Sequence, residues 1–205
     1  MIARLLAPPL CWSCRAPALR GAPLCGSCRC ALRFLPRATV ALAGLAIWAP
    51  VAYDGPARDL VKALKFHAAR GVAREMAALI VANAPSPLLG GTLVPVPLHP
   101  GRRRTRAFNQ AEAIAAAIAA RTGLPLSACL ARGGPSGRQV GRGRAARLAG
   151  PPGSIRAGAA GVPTEALLVD DVVTTGGTLA ACAGALRAAG TAQVLAVAFA
   201  RVTGR

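Results

Sequence analysis

Residues 166–178 read ALLVDDVVTTGGT, an apolar run, two adjacent carboxylates and a Thr/Gly loop that opens a helix. Leu167, Leu168 and Val169 have the continuous apolar character of a strand buried on both faces, which places them inside a parallel sheet. Thr174, Thr175, Gly176, Gly177 and Thr178 lead into a run where Leu179, Cys182 and Leu186 recur at helical spacing and Gly190 marks the stop. Amide hydrogens and the dipole at that helix start favour an anion, glycines let the backbone approach it, and threonine hydroxyls add donors. The chain has seven acidic residues in all, and two of them sit side by side at this strand end, so Asp170 and Asp171 are expected to carry function. Carboxylates repel a phosphate, but they accept hydrogen bonds from two neighbouring hydroxyls. A phosphate beside a vicinal diol describes ribose 5-phosphate. Asp170 and Asp171 would take the diol, and Val172, Val173, Thr174, Thr175, Gly176, Gly177 and Thr178 the phosphate. The plainer alternative is a strand end whose acids face water beside an unrelated helix cap.

At these residues the chain resembles the type I phosphoribosyltransferases, whose signature is a hydrophobic strand, two acidic residues and a TTGxT-like phosphate loop. The resemblance implies an α/β fold, a parallel sheet flanked by helices. It also implies that the acidic pair contacts the ribose and the loop the 5-phosphate of phosphoribosyl pyrophosphate (PRPP), with Mg2+ on the pyrophosphate.

Two hundred and five residues, 54% of them hydrophobic, suit one domain with a small appendage and exclude a chain disordered throughout. The formal net charge of +18 is what a nucleic-acid or polyphosphate binder carries. The cations are arginine except for Lys62 and Lys65, and the chain is rich in Ala, Gly and Pro, so compositional bias of the genome is expected to account for part of the excess. Residues 1–10 are too short and too interrupted by Pro8 and Pro9 for a secretory signal, which leads to a cytoplasmic expectation. Residues 38–53 form the longest uncharged apolar run, too short for a bilayer and better read as strand entering the core.

Cys11, Cys14, Cys25 and Cys28 form two CxxC knuckles able to place four thiolates around a structural Zn2+. About 35 residues with so few large apolar side chains would need such a metal to fold alone. Arg15 and Arg29 follow the knuckles and would offset the charge of the thiolates. Disulfides and redox chemistry are the competing readings. They are disfavoured by the cytoplasmic expectation and by the lack of a strand before and a helix after either pair. Cys30 remains an alternative to Cys28 as ligand, and Cys129 and Cys182 read as small core residues. The expected division is a zinc-ribbon module over residues 1–36 and a phosphoribosyltransferase-like domain over 37–205.

Between the two signals, Tyr53-Asp-Gly-Pro56 turns into a helix with Asp54 as its cap and Leu60, Val61 and Leu64 on its inner face. Lys62 and Lys65 lie on or beside that face and are read as solvated. A helix over 72–82 buries Met76, Leu79 and Ile80, and a strand runs over 92–96. The loop 99–106 holds four arginines, Arg102 and Arg106 among them, and is a concentrated anion site. It reaches a helix with an apolar stripe of Phe108, Ala111, Ile114, Ala115 and Ile118, for which Asn109 is the N-cap and Glu112 a reciprocal cap. Residues 133–161 lack apolar periodicity and read as a lid or binding segment, or else as an unconstrained insertion.

Together CWSC and CGSC, YDGPARDLVKALKF, VPVPLHPGRRRTRAFNQAEAIA, residues 139–147 and LLVDDVVTTGGT resemble the ComF (GntX-like) competence family, which joins a zinc ribbon to a phosphoribosyltransferase fold. The resemblance implies a protein that binds PRPP or a ribose 5-phosphate ligand and handles single-stranded DNA with the DNA-uptake machinery during natural transformation. The alternative is an active Mg2+-dependent phosphoribosyltransferase of nucleotide metabolism that releases pyrophosphate. In it Arg102 and Arg106 would stabilise the leaving group, and Arg138 or Arg144 would close over Asp170 and Asp171. A PRPP sensor without turnover is a third reading. Aromatics make up 3% of the chain, so neither a base pocket nor a stacking platform for single strands is visible.

Overall fold

The structure, a computed structural model, describes residues 9–19, 21–67, 69–98, 108–132, 155–158 and 161–204. Along the chain run α1 (Gly26–Cys30), β1 (Val40–Leu42), β2 (Leu45–Trp48), β3 (Val51–Ala52), α2 (Gly55–Phe66), α3 (Arg70–Asn83) and β4 (Thr92–Pro95). There follow α4 (Gln110–Thr122), β5 (Leu130–Arg132), β6 (Ile155–Ala157), β7 (Glu165–Val173), α5 (Gly177–Ala188) and β8 (Gln193–Arg201). One sheet has the order β1-β2-β8-β7-β4, with β3 also paired to β8. Every pairing in it is parallel except the β1–β2 hairpin.

β7 is interior to the sheet, its Val169 opposite Val197 of β8 and Pro95 of β4. Leu167 and Val169 enter one core cluster, Ala166 and Leu168 the other, and all four are buried, as a parallel strand covered on both faces requires. On one face α2, α3 and α4 supply Leu60, Val61, Leu64, Met76, Ile80, Ile114 and Ile118. On the other, α5 supplies Leu179, Cys182 and Leu186, beside Cys129 and Leu130. Each fully buried aliphatic side chain contributes roughly 1.5–3 kcal/mol, so this two-sided burial fixes β7 and the loop that follows it. The expected α/β class, a mostly parallel sheet flanked by helices, is what the chain adopts. Gly91 sits where β4 approaches β7: it has φ +66°, and a Cβ there would come within 2.7 Å of the Glu165 carbonyl oxygen.

Two local expectations are corrected. Residues 155–157, read as part of an irregular segment, form a strand because their backbone pairs antiparallel with β5 and Ile155 packs against the second cluster. Asp54 occupies the N-cap of α2, but its carboxylate does not cap. The Arg33 guanidinium takes it instead, with Nη2 and Nε at 2.6 and 2.9 Å.

The cysteine-bearing segment packs on the first face of the sheet, with Cys11, Leu24 and Leu32 buried in the same cluster as α2 and α3. Ser13 Oγ donates to Asp59 Oδ2 of α2 at 2.8 Å, Arg29 pairs with Glu75 of α3, and the Trp12 and His67 rings lie 5.4 Å apart. No helix among the described residues is long and apolar enough to cross a membrane.

Candidate functional site

The strand-to-helix turn after β7 is shaped by Gly176. It is the N-cap of α5, with φ +80°, and a Cβ at this position would lie 3.0 Å from Leu42 Cβ and 3.2 Å from Ile47 Cδ1 of the β1–β2 hairpin. Only glycine permits both the left-handed backbone and the close seat on the hairpin. No side chain caps α5, so its first amides are left to an external acceptor. These residues enclose a small cavity of about 60 Å3, lined by Asp170, Val172, Val173, Thr174, Thr175, Gly176, Gly177, Thr178 and Leu179. Thr174, Thr175 and Thr178 are exposed and available as donors.

A second cavity, of about 180 Å3, adjoins it through Asp170, Val172 and Thr178. Its walls include both aspartates, Lys65 from α2, Val96 to Leu98 after β4, and Asn109 and Gln110 at the start of α4. A pocket at the start of α5 and an acid-walled pocket thus share Asp170.

The two carboxylates differ. Asp171 is 7% exposed, and its Oδ1 lies 2.8 Å from Lys65 Nζ. Asp170 is half-buried and accepts a bond from the Asp171 amide at 2.8 Å. Burial pushes the Asp170 carboxyl up to about 7 and the charge of Asp171 adds to the rise, while the Asp171 amide, Lys65 and Arg132 oppose it. Behind it, burial and the Asp170 charge push the Cys182 thiol up to about 12, which makes it an inert core residue as expected.

Lys65 corrects the sequence reading, which left it solvated. Lys62 is exposed, but one further turn along α2 the burial of Leu64 draws Lys65 inward, where its ammonium meets a carboxylate. A signal existed in its rarity: it is one of two lysines in a chain of arginines, one position from a buried leucine. Asn109 is the N-cap of α4 as expected. Its Oδ1 accepts from the Ala111 amide at 3.1 Å and its Nδ2 donates to the Val96 carbonyl at 3.0 Å, tying the helix to the end of β4. Glu112 is exposed and makes no return bond to the cap among the described residues. Arg102, Arg106, Arg138 and Arg144 lie outside the described residues.

A further cavity, of about 670 Å3, lies between α3 and α4 and is walled by five alanines, with Arg74, Glu112 and Arg121 among the other lining residues. It meets the acid-walled cavity only at Asn109 and is lined by neither the carboxylate pair nor the start of α5.

At the other end of the chain, the sulfurs of Cys11, Cys14, Cys25 and Cys28 all lie within 4.8 Å of one another, with Cys14 and Cys25 at 3.5 Å. A tetrahedral Zn2+ with bonds of about 2.3 Å sets its sulfurs at about 3.8 Å, so this donor set fits. Cys30 is exposed and outside the cluster, which removes it as a ligand alternative. Burial raises the Cys11 thiol, but the amides of Cys14, Cys25 and Ser13 outweigh it and bring it down to about 6. Burial and the neighbouring thiols push Cys28 up to about 12. The second knuckle does open a short helix, α1, with Cys25 at its N-cap, though no strand precedes it among the described residues. Arg15 lies over the Trp12 ring at 5.5 Å and Arg29 turns to Glu75.

No protein-family model matches the chain, and no curated protein matches it significantly. Similar solved structures include glutamine PRPP amidotransferase from B. subtilis complexed with ADP and GMP, at 22% identity and TM-score 0.40, covering 61% of this chain and 26% of that one. A second is described as the allosteric regulatory enzyme of purine biosynthesis, at 21% identity and TM-score 0.39, covering 61% and 25%. A third is Leishmania donovani UMP synthase, at 18% identity and TM-score 0.34, covering 68% and 23%. The chain spans about a quarter of the length of each of these proteins.

Proposed function

We propose that the end of β7 and the loop into α5 bind a ribose 5-phosphate ligand, PRPP in the first place, in a type I phosphoribosyltransferase-like domain carrying a zinc ribbon. The observation that carries this reading is the pair of adjoining cavities, one walled by helix-start amides and threonines, the other by two carboxylates, with Asp170 common to both. The phosphate belongs in the first and the sugar hydroxyls in the second, with Asp170 and Asp171 as acceptors and Val172 to Thr178 as the cradle. Mg2+ keeps several waters and binds through one or two carboxylates plus ligand phosphates. Asp171 is already paired with Lys65, so the residues suit a Mg2+ that arrives on the pyrophosphate and neutralises it.

The wider role is DNA handling of the ComF type during uptake and transformation. It rests on the sequence resemblance and on the net charge of +18. Turnover is the second reading: Asp170, its carboxyl pushed up to about 7 by burial and by the charge of Asp171, would suit proton transfer near neutral pH at the proposed sugar site. The reaction would move ribose 5-phosphate from PRPP to an acceptor and release pyrophosphate.

Thermal shift with ribose 5-phosphate, and with Mg2+ and PRPP, tests the site, and pyrophosphate release with a panel of bases tests turnover. Stabilisation by both ligands, lost in Asp171→Asn, is expected. Protein that melts at the same temperature with and without millimolar ligand sinks the reading.

A further inference from the structure

Both aspartates of the ribose-phosphate site come from one strand, but the group that organises them comes from another element. We propose that Lys65 is the positioning residue of this site: delivered by the last turn of α2, its ammonium fixes the Asp171 carboxylate in the cavity wall and offsets its charge, so that a sugar phosphate can enter beside two acids. This rests on the ribose-phosphate reading given above.

The geometry is direct. Lys65 Nζ lies 2.8 Å from Asp171 Oδ1, with the two side chains 19% and 10% exposed, and both residues wall the 180 Å3 cavity. A pair so shielded is screened far less than a surface ion pair. α2 is anchored by Leu60, Val61 and Leu64, none of them measurably exposed, so the ammonium is held by a rigid element. Asp170 Oδ1 is fixed by the Asp171 amide and Asp171 Oδ1 by Lys65, so each acid has one oxygen committed to the protein. That leaves the second oxygen of Asp171 to a hydroxyl and prepays the cost of orienting it.

Charge gives the same answer. Two bare carboxylates beside the phosphate cradle would repel the phosphate, and one ammonium cancels one of them. A lysine suits the place better than arginine, because its compact ammonium engages a single oxygen whereas a guanidinium would clasp both and fill the cavity. Asp170 is faced by Asp171 on its own strand, Lys65 from α2, Arg132 from β5 and the Cys182 thiol from α5. α4 presents the uncharged Asn109 and Gln110, and β8 presents Ala198 opposite it. Lys65 holds the Asp170 carboxyl down, so its removal moves that titration upward.

The test uses the full chain with its metal, in the wild type, Lys65→Met, Asp171→Asn and the double variant, with Lys65→Gln in place of Lys65→Met if the latter does not fold. Isothermal titration with ribose 5-phosphate is expected to show affinity about 10- to 100-fold weaker in Lys65→Met. Little further loss is expected when the change is made in the Asp171→Asn background, because Lys65 acts through Asp171. Carboxyl-carbon NMR of Asp170 in the ligand-free protein is expected to titrate at higher pH in Lys65→Met than in wild type. Unchanged affinity in Lys65→Met overturns the proposal, and so do losses that add in the double variant, which would put the ammonium on the ligand itself. If the wild type binds no ribose 5-phosphate, the site reading fails, and the Asp170 titration still judges Lys65: an unmoved midpoint in Lys65→Met sinks its role.

Discussion

Asp170→Asn is expected to stabilise the ligand-free protein at high pH while weakening its hold on ribose 5-phosphate. The folded-state carboxyl titrates at about 7, against about 3.9 in an unfolded chain. Because the folded value is raised, the native state holds the proton longer, and stability falls as pH climbs from about 4 to about 7. Three pH units at 1.36 kcal/mol each set a ceiling of about 4 kcal/mol above pH 8, of which about a third is already present at pH 5. Asp170 is only half-buried and sits between two cavities that admit water, so the rise between pH 5 and pH 8 should amount to about 1–2 kcal/mol. Asparagine keeps an oxygen for the Asp171 amide and lacks the charge. At roughly 2–4 °C per kcal/mol for a chain of this size, the Tm advantage of the variant over wild type should widen by about 3–6 °C between pH 5 and pH 8. Differential scanning fluorimetry at both pH values reads this, and comparing variant with wild type at each pH cancels the response of the four clustered cysteines. An advantage that is equal at the two pH values, or a variant less stable than wild type at pH 8, would refute the reasoning.

Gly176→Ala forces a Cβ onto Leu42 and Ile47 in a left-handed backbone, so it should cost about 1–3 kcal/mol and lower affinity for ribose 5-phosphate, read by melting and titration together. Atomic-emission analysis should find about one zinc per chain, and chelation should lower Tm by several degrees, since the cysteine module shares a core cluster with α2 and α3; protein free of zinc with reduced thiols would sink that assignment. If the basic charge serves single-stranded DNA, fluorescence-anisotropy affinity should fall steeply between about 50 and 200 mM salt with little dependence on sequence, and no binding at low salt removes the direct DNA role.

The parts of the fold that were legible are those whose information is local. Residues 167–169 announced a two-sided strand because Ala166 to Val169 lack polar atoms, and Asn109 announced a cap because the asparagine amide bonds its own backbone two residues on. β8 was not singled out although VLAVAFA is as apolar as β7, since a strand's partner is set by tertiary pairing, and only the structure places Val197 against Val169. β6 was illegible for the same reason: Ile155, Arg156 and Ala157 are too few for their alternation to stand out, and β5 supplies the order. Asp54 misled because an aspartate before a proline-started helix has the form of a cap, while a nearby guanidinium offers a stronger, charge-assisted partner.

Lys65 shows why the site itself was only half legible. The acids and the Thr/Gly loop are contiguous, so spacing along the chain brings them together, but the cation that meets them is more than a hundred residues away in sequence. A basic residue near the end of an amphipathic helix reads as solvated on statistics alone, and its long stem allows it to be. What reverses that reading is the alignment of α2 against the sheet, which seats Leu64 in the core and leaves the neighbouring side chain facing the end of β7. The same helix receives the cysteine module at Asp59, through Ser13, six residues or about 9 Å along its axis from Lys65. The length and phase of α2 are therefore constrained at two places by contacts outside its own hydrophobic stripe. A one-residue insertion between Asp59 and Lys65 would rotate the ammonium by about 100° and separate it from Asp171, even with every residue type in the two ends unchanged.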